Sequence, residues 1–217
     1  SGVVEIIKKD IEKIKRATSI EIEIVAVSAR SSKSFIENQN IKFFTDPLEM
    51  VEKSGADIIV ELIGGIDIAK DIIELAIKKN IPVVTANKAL LAIHGFEIAK
   101  LAQSKNVLIG YEASVGGSIP VIGAIKNGLV ANNINSCYAI INGTCNFILS
   151  KMQNENLDFA DALKQAQELG YAESDPTFDI KGIDSAHKIA VLAIIAFGIK
   201  QNFGNINIEG IDKITID

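Results

Sequence analysis

Apolar residues return at Val4, Ile7, Ile11 and Ile14 with charged residues between them, so the chain opens on an amphipathic helix from Val3 to Thr18. The pattern then shortens: Ile22 to Ser28 (IEIVAVS) predicts a strand, and a polar loop follows it. Asp46-Pro47 has the form of an N-cap and first helical residue, beginning a helix that ends near Gly55. Ile58 to Ile63 predicts a second strand, and Asp67 caps a helix running through Lys79. Ile81 to Thr85 and Val107 to Tyr111 predict two more strands, with a helix from Lys88 to Ser104 between them. Strands alternating with helices at this spacing predict a parallel sheet covered by helices on both faces.

A doubly wound sheet of the dinucleotide-binding kind begins with a strand and a glycine turn that meets the pyrophosphate. Here the first residues are already helical, and Ser1-Gly2 resembles only the tail of such a turn. The predicted fold is therefore α/β, a Rossmann-like parallel sheet lacking its first strand. From Glu112 the pattern changes. EASVGGSIP leads through Pro120 into a short helix, Ile119 to Asn127, and Ile134 to Ile141 predicts a strand. NGTCN reads as a turn, Phe147 to Gln153 as a helix, and Asp158 caps another that Gly170 ends. Ile206 to Ile216 reads as an extended tail that stops within the fold. These readings divide the chain into a partial NAD(P)-binding Rossmann domain, residues 1–111, and an incomplete α+β second domain, residues 112–217.

The densest polar chemistry lies in Gly170 to Lys188, GYAESDPTFDIKGIDSAHK, just before the apolar run Ile189 to Ile199. If a helix starts after Gly182, Asp184 and Lys188 stand at i and i+4 on one face, acid first. A surface salt bridge would give the same spacing, but this lysine sits where a helix turns toward a core, and buried lysines are rare unless paired or used. Ser28 to Lys33 (SARSSK) bears the cations Arg30 and Lys33 and no carboxylate at the end of the first predicted strand. That favours NADP over NAD, unless the segment is only a solvated loop.

The remaining composition narrows the partners. A net charge of −5 over 217 residues leaves no basic excess for nucleic acid or an anionic membrane, so a small molecule is expected. Cys137 and Cys145 form neither a CxxC nor a disulfide framework, which favours a reducing, cytoplasmic setting. No basic-then-apolar leader opens the chain, and Ile189 to Ile199 is too short to span a bilayer. His94 and His187 are the only histidines and lack ligand-spaced partners, so no transition-metal site is expected.

Several segments together resemble the homoserine dehydrogenases: VELIGG, VTANKALLA, GYEASVGGSIPVI, INGTCNFIL and LGYAESDPTFDIKGIDSAHK. The resemblance implies NAD(P)-dependent interconversion of L-homoserine and L-aspartate 4-semialdehyde, in the route to threonine, methionine and isoleucine. It implies Lys188 as the catalytic lysine, Asp184 beside it, and Lys88 in the same site. For the substrate it implies Glu173 on the amino group, Asp179 in support, and Tyr171, Gly143 and Thr144 around the pocket. For the cofactor it implies Arg30, Gly64, Gly65, Thr85, Asn87, Lys88 and Ser114. A monovalent cation, typically sodium, would be held by carbonyls of Val115, Gly117 and Ile119 with Glu112, and a homodimer would form through the second domain. The residue types suit the reaction, since reducing an aldehyde needs a proton for the developing alkoxide, and a lysine beside a carboxylate supplies both proton and charge. Two other readings stay open: a semialdehyde dehydrogenase using Cys145 as nucleophile, which would want a histidine base, and a non-catalytic binding or regulatory module of the same fold.

Overall fold

A computed structural model describes residues 2–31, 41–200 and 202–216. Helix α1 (Gly2–Thr18) leads to strand β1 (Ala26–Ser28), strand β2 (Lys42–Phe44) and α2 (Pro47–Lys53). There follow β3 (Ile59–Glu61), α3 (Asp67–Lys78), β4 (Val83–Thr85), α4 (Lys88–Lys105) and the two-residue β5 (Ile109–Gly110). The second half is helical: α5 (Val121–Gly123), continued by a π-helical turn over Ala124–Gly128, then α6 (Gly143–Glu155), α7 (Phe159–Glu168), α8 (Thr177–Ile180) and α9 (Ile183–Phe197).

Among the described residues all strand pairing is parallel, as the alternation predicts, but it forms two ladders rather than one sheet: β1 with β2, and β3-β4-β5. In a doubly wound order the strands matching β1 and β3 flank the first strand and do not bond to each other. The core beneath the larger ladder is aliphatic, with Ile59, Ile72, Ile73, Ile77, Val83, Leu90 and Ile98 packed together. A second cluster joins α4 to α9 through Leu91, Val191 and Leu192. Packing of α4 against α9 is what draws the ends of the two halves together.

Local signals held where a side chain could cap. Asp46 accepts from Leu48 N–H, Asp158 from Asp161 N–H, and Gly170 ends its helix at φ 77°. Other boundaries moved. Ile22 to Val25 has no ladder of its own, so β1 keeps only the last three residues of the predicted strand, and β2 forms inside the predicted loop because Lys42 N–H reaches the Val25 carbonyl. Asp67 is not a cap but the first residue of α3, where its charge faces the helix N-terminus after Ile66. NGTCN is not a free turn: Asn142 accepts from Cys145 N–H and α6 starts at Gly143, four residues before the predicted start. Ile134 to Ile141 forms no strand, since no neighbouring chain among the described residues offers it a ladder, and Tyr138 and Ile140 are left 92% and 85% exposed. The predicted tail is tied down, with Ile211 N–H on the Ile180 carbonyl and Lys181 paired to Asp212 at 2.8 Å.

Candidate active site

Two polar clusters lie where the helical and stranded elements end. The first sits at the ends of β3 and β4. Glu61, 2% exposed, is the last residue of β3, and its carboxylate accepts from Ile63 N–H, Gly64 N–H and the Thr85 hydroxyl, the last at 2.6 Å. Thr85 in turn accepts from Asn87 N–H, while Asn87 donates to the Gly65 carbonyl at 2.7 Å and caps α4 by accepting from Leu90 N–H. Gly64 and Gly65 take φ values of 74° and 72°, a conformation that side chains resist, so this loop needs its glycines. The predicted cofactor residues Gly64, Gly65, Thr85 and Asn87 thus belong to one network. Glu61, its hub, escaped sequence reading because a carboxylate inside an apolar run carries no periodic signal.

The second cluster straddles α4, α6, α8 and α9. Gly182, at φ 78°, turns the chain into α9, and a Cβ there would stand 2.9 Å from the Glu209 carbonyl oxygen. Two residues on, Asp184 points inward, 5% exposed, and receives Lys188 Nζ at 2.7 Å on Oδ2 and Lys88 Nζ at 2.8 Å on Oδ1. Lys88 is the first residue of α4, so this pair links the stranded half to the helical half. Lys188 also donates to the Ile141 carbonyl at 2.9 Å. Burial pushes the Asp184 carboxyl up, but the hydrogen bonds from Lys188, Lys88 and Asn142 outweigh it and hold the group below the usual carboxylate range. Its neighbour His187 stacks on Phe203 at 4.6 Å, and burial, then the charge of Lys88, makes it harder to protonate.

Asn142 joins this cluster from the start of α6, donating to Asp179 at 2.7 Å and to Asp184 at 2.8 Å. Thr144 is buried with its hydroxyl on the Tyr171 carbonyl, and the half-exposed Tyr171 ring stacks on Phe147 at 4.4 Å. Gly143 and Glu173 lie exposed at the rim. Cys145 donates its thiol to the Asp179 carbonyl, and burial, followed by the charges of Asp179 and Asp184, pushes it up to about 11. A thiol held that high is protonated at neutral pH and is a poor nucleophile.

Other predicted residues lie apart from these bonds. Arg30 is exposed just beyond β1, and Ser32 and Lys33 fall outside the described residues. Ser114 is buried, its hydroxyl on the Tyr111 carbonyl. Both carboxylate oxygens of Glu112 accept amides, Ile122 N–H at 2.9 Å and Gly123 N–H at 2.8 Å, so its charge serves the start of α5. Around it the chain turns tightly, with Gly116 at φ 64° and the Ile119 carbonyl accepting from Val121 N–H. A cation there would meet backbone oxygens together with the Glu112 carboxylate, which keeps lone pairs beyond the two amides it accepts.

Comparison with known proteins identifies both halves. A family model described as homoserine dehydrogenase matches residues 120–217, and one described as homoserine dehydrogenase, NAD binding domain, matches residues 1–112. A homoserine dehydrogenase of Neisseria gonorrhoeae is 45% identical over 214 residues, covering 98% of this chain and 49% of that protein. The crystal structure of a homoserine dehydrogenase from Thiobacillus denitrificans superposes with a TM-score of 0.90 at 45% identity, over 99% of this chain and 50% of that one. A hyperthermophilic archaeal homoserine dehydrogenase in complex with NADPH matches at a TM-score of 0.70 and 30% identity, over 88% of this chain and 55% of that one. The chain spans about half the length of the curated relatives it matches.

Proposed function

The chain belongs to the homoserine dehydrogenase family, and from that premise we propose that the protein interconverts L-homoserine and L-aspartate 4-semialdehyde with a nicotinamide dinucleotide. The observation that carries this reading is the Lys88–Asp184–Lys188 cluster at the junction of the two halves. When bound, the cofactor supplies or accepts the hydride at the carbonyl carbon. In the reducing direction Lys188 gives the proton that the developing alkoxide needs. Asp184 and the Ile141 carbonyl take two of its three N–H protons, which leaves one to face a substrate oxygen. Lys88, 40% exposed at its side chain, adds positive charge from the cofactor side. Asp179, through the oxygen that Asn142 does not hold, and Glu173 at the rim serve the substrate's ammonium group, with Gly143, Thr144 and Tyr171 shaping the pocket.

The loop at Gly64 and Gly65, held by Glu61, Thr85 and Asn87, is suited to the cofactor, and Ser114 would join it there. Arg30 beyond β1 supports NADP over NAD, since a guanidinium suits a 2′-phosphate; the ratio of kcat/KM for the two dinucleotides should fall when Arg30 becomes Ala. A monovalent cation such as sodium would bind the carbonyls of Val115, Gly117 and Ile119 with Glu112, and hard oxygens suit it; replacing sodium with tetramethylammonium should then raise the KM for the dinucleotide. The division into residues 1–111 and 112–217 follows the change from strands to helices. The exposed Tyr138 and Ile140 support a homodimer formed through the second domain, because large apolar side chains left bare favour burial against a partner; sedimentation of the full protein at twice the monomer mass is the expected result. A cytoplasmic setting agrees with two free thiols and with the absence, among the described residues, of a helix long and apolar enough to cross a membrane. The reaction itself is tested by following NADPH formation from homoserine and NADP in the full protein. Lys188→Ala should abolish most of the rate, and an inactive wild type would sink the proposal.

A further inference from the structure

The side chain of Asn142 makes three hydrogen bonds, and they admit one orientation. Its Oδ1 accepts from Cys145 N–H at 2.8 Å, closing the first turn of α6. That fixes Nδ2 on the opposite side, where one proton goes to Asp179 and the other to Asp184. A flipped amide would set Oδ1 against two carboxylates and Nδ2 against an N–H, losing all three bonds. The residue is 6% exposed, so water cannot easily stand in for any of them. The adjoining Ile141 carbonyl meanwhile receives Lys188. Two consecutive residues thereby grip both members of the Asp184–Lys188 pair, and the same side chain reaches the acid proposed for the substrate's ammonium group.

We propose that Asn142 is the positioning residue of this active site: anchored by the α6 N-terminus, its amide holds Asp179 and Asp184 at fixed separation and, with the Ile141 carbonyl, aims Lys188 at the substrate. This rests on the proposed reaction. Asn142 touches no substrate in this account; it acts through the two aspartates. Only a group with one acceptor and two donors meets all three neighbours, which neither Asp nor Ser can do, although both can cap a helix.

That difference provides the test. In the full protein, Asn142→Ser and Asn142→Asp should keep the α6 cap and the KM for NADPH. Both should lower kcat, by about 10-fold for Ser and about 100-fold for Asp, where a third carboxylate joins two others. In Asn142→Asp the acidic limb of the pH–rate profile should also move to higher pH. If both variants keep wild-type kcat and an unchanged pH profile, Asn142 is only a helix cap and the proposal is overturned. A second readout needs no variant. The two side-chain amide protons of Asn142, followed by 15N NMR, should exchange slowly with solvent at neutral pH, and fast exchange of either would overturn the bridge. Failure of the wild type to oxidise homoserine would remove the reaction while leaving this exchange result standing.

Discussion

Glu61 and Asp184 are both carboxylates removed from water, 2% and 5% exposed, yet their surroundings differ in kind. Glu61 is satisfied by two backbone amides and a hydroxyl, all neutral donors, and every one belongs to the loop and strand ends around it. Asp184 is satisfied by two lysines and an amide drawn from three separate helices or their caps. A buried acid closed by neutral donors of its own loop fixes a shape. A buried acid closed by cations fixes charges whose remaining protons point elsewhere, and that arrangement can do chemistry. On the proposed reaction, the first would frame the site and the second would operate it.

The sharpest way to break this comparison is to neutralise Asp184. Asp184→Asn leaves Lys88 and Lys188 without their shared anion and should lower kcat about 1,000-fold, with far-ultraviolet circular dichroism unchanged. Retention of more than a tenth of the wild-type kcat would demote the cluster to a structural one. The same carboxylate has a pH signature. Because its folded pKa lies below its unfolded value, its stabilising contribution is full above the ordinary carboxylate pKa of about 4 and is lost as pH falls through the lower folded value. Thermal melts between pH 5 and 3, chosen as a range around that pKa of about 4, should show the wild type losing more stability than Asp184→Asn. Parallel melting curves would contradict the sign.

Next in size is Gly182→Ala. It forces a Cβ to φ 78° and to 2.9 Å from the Glu209 carbonyl oxygen, costing about 2–3 kcal/mol by urea melts. It should tilt α9, and with it Asp184 and Lys188, so kcat should fall while the KM for the dinucleotide holds. Glu61→Gln is smaller and opposite in character. One buried donor loses its acceptor at a cost of about 1–2 kcal/mol. Here the dinucleotide KM should rise and kcat stay within about 5-fold. A kcat collapse in Glu61→Gln would erase the distinction between framing and operating residues.

The two clusters were not equally legible in the sequence. Asp184 and Lys188 announce themselves by i,i+4 spacing at the mouth of an apolar helix, and Gly182 by standing just before it. Lys88 follows a capping Asn87 after a strand, so its place at a helix start could be read, but not its partner 96 positions on. Asn142 and Glu61 were silent for a different reason. Their roles depend on bonds to Asp179 and Thr85, distant in sequence, and local patterns hold no record of such pairs. The same limit explains Ile134 to Ile141, whose alternation is that of a strand although no ladder partner stands beside it among the described residues. Periodicity reports which face of a segment is apolar; pairing is decided by what lies across from it.

The smallest expected effect concerns Cys145, which sits among the charged residues without sharing their work. Its thiol donates to the Asp179 carbonyl at 3.2 Å, and burial and two nearby carboxylates raise it to about 11. At pH 7.5 a thiol with that value is about 0.03% thiolate, too little to act as the attacking group. The α6 cap uses its backbone N–H, which alanine retains. Cys145→Ala should therefore lose only a weak hydrogen bond and a small packed volume, about 1 kcal/mol or less by thermal melt. Its kcat should stay within about 3-fold of wild type, and iodoacetamide should inactivate the wild-type protein slowly at pH 7.5. If Cys145→Ala instead loses the rate that Asp184→Asn is expected to lose, the proton-donating lysine gives way to a thiol mechanism, and the charged cluster becomes its frame.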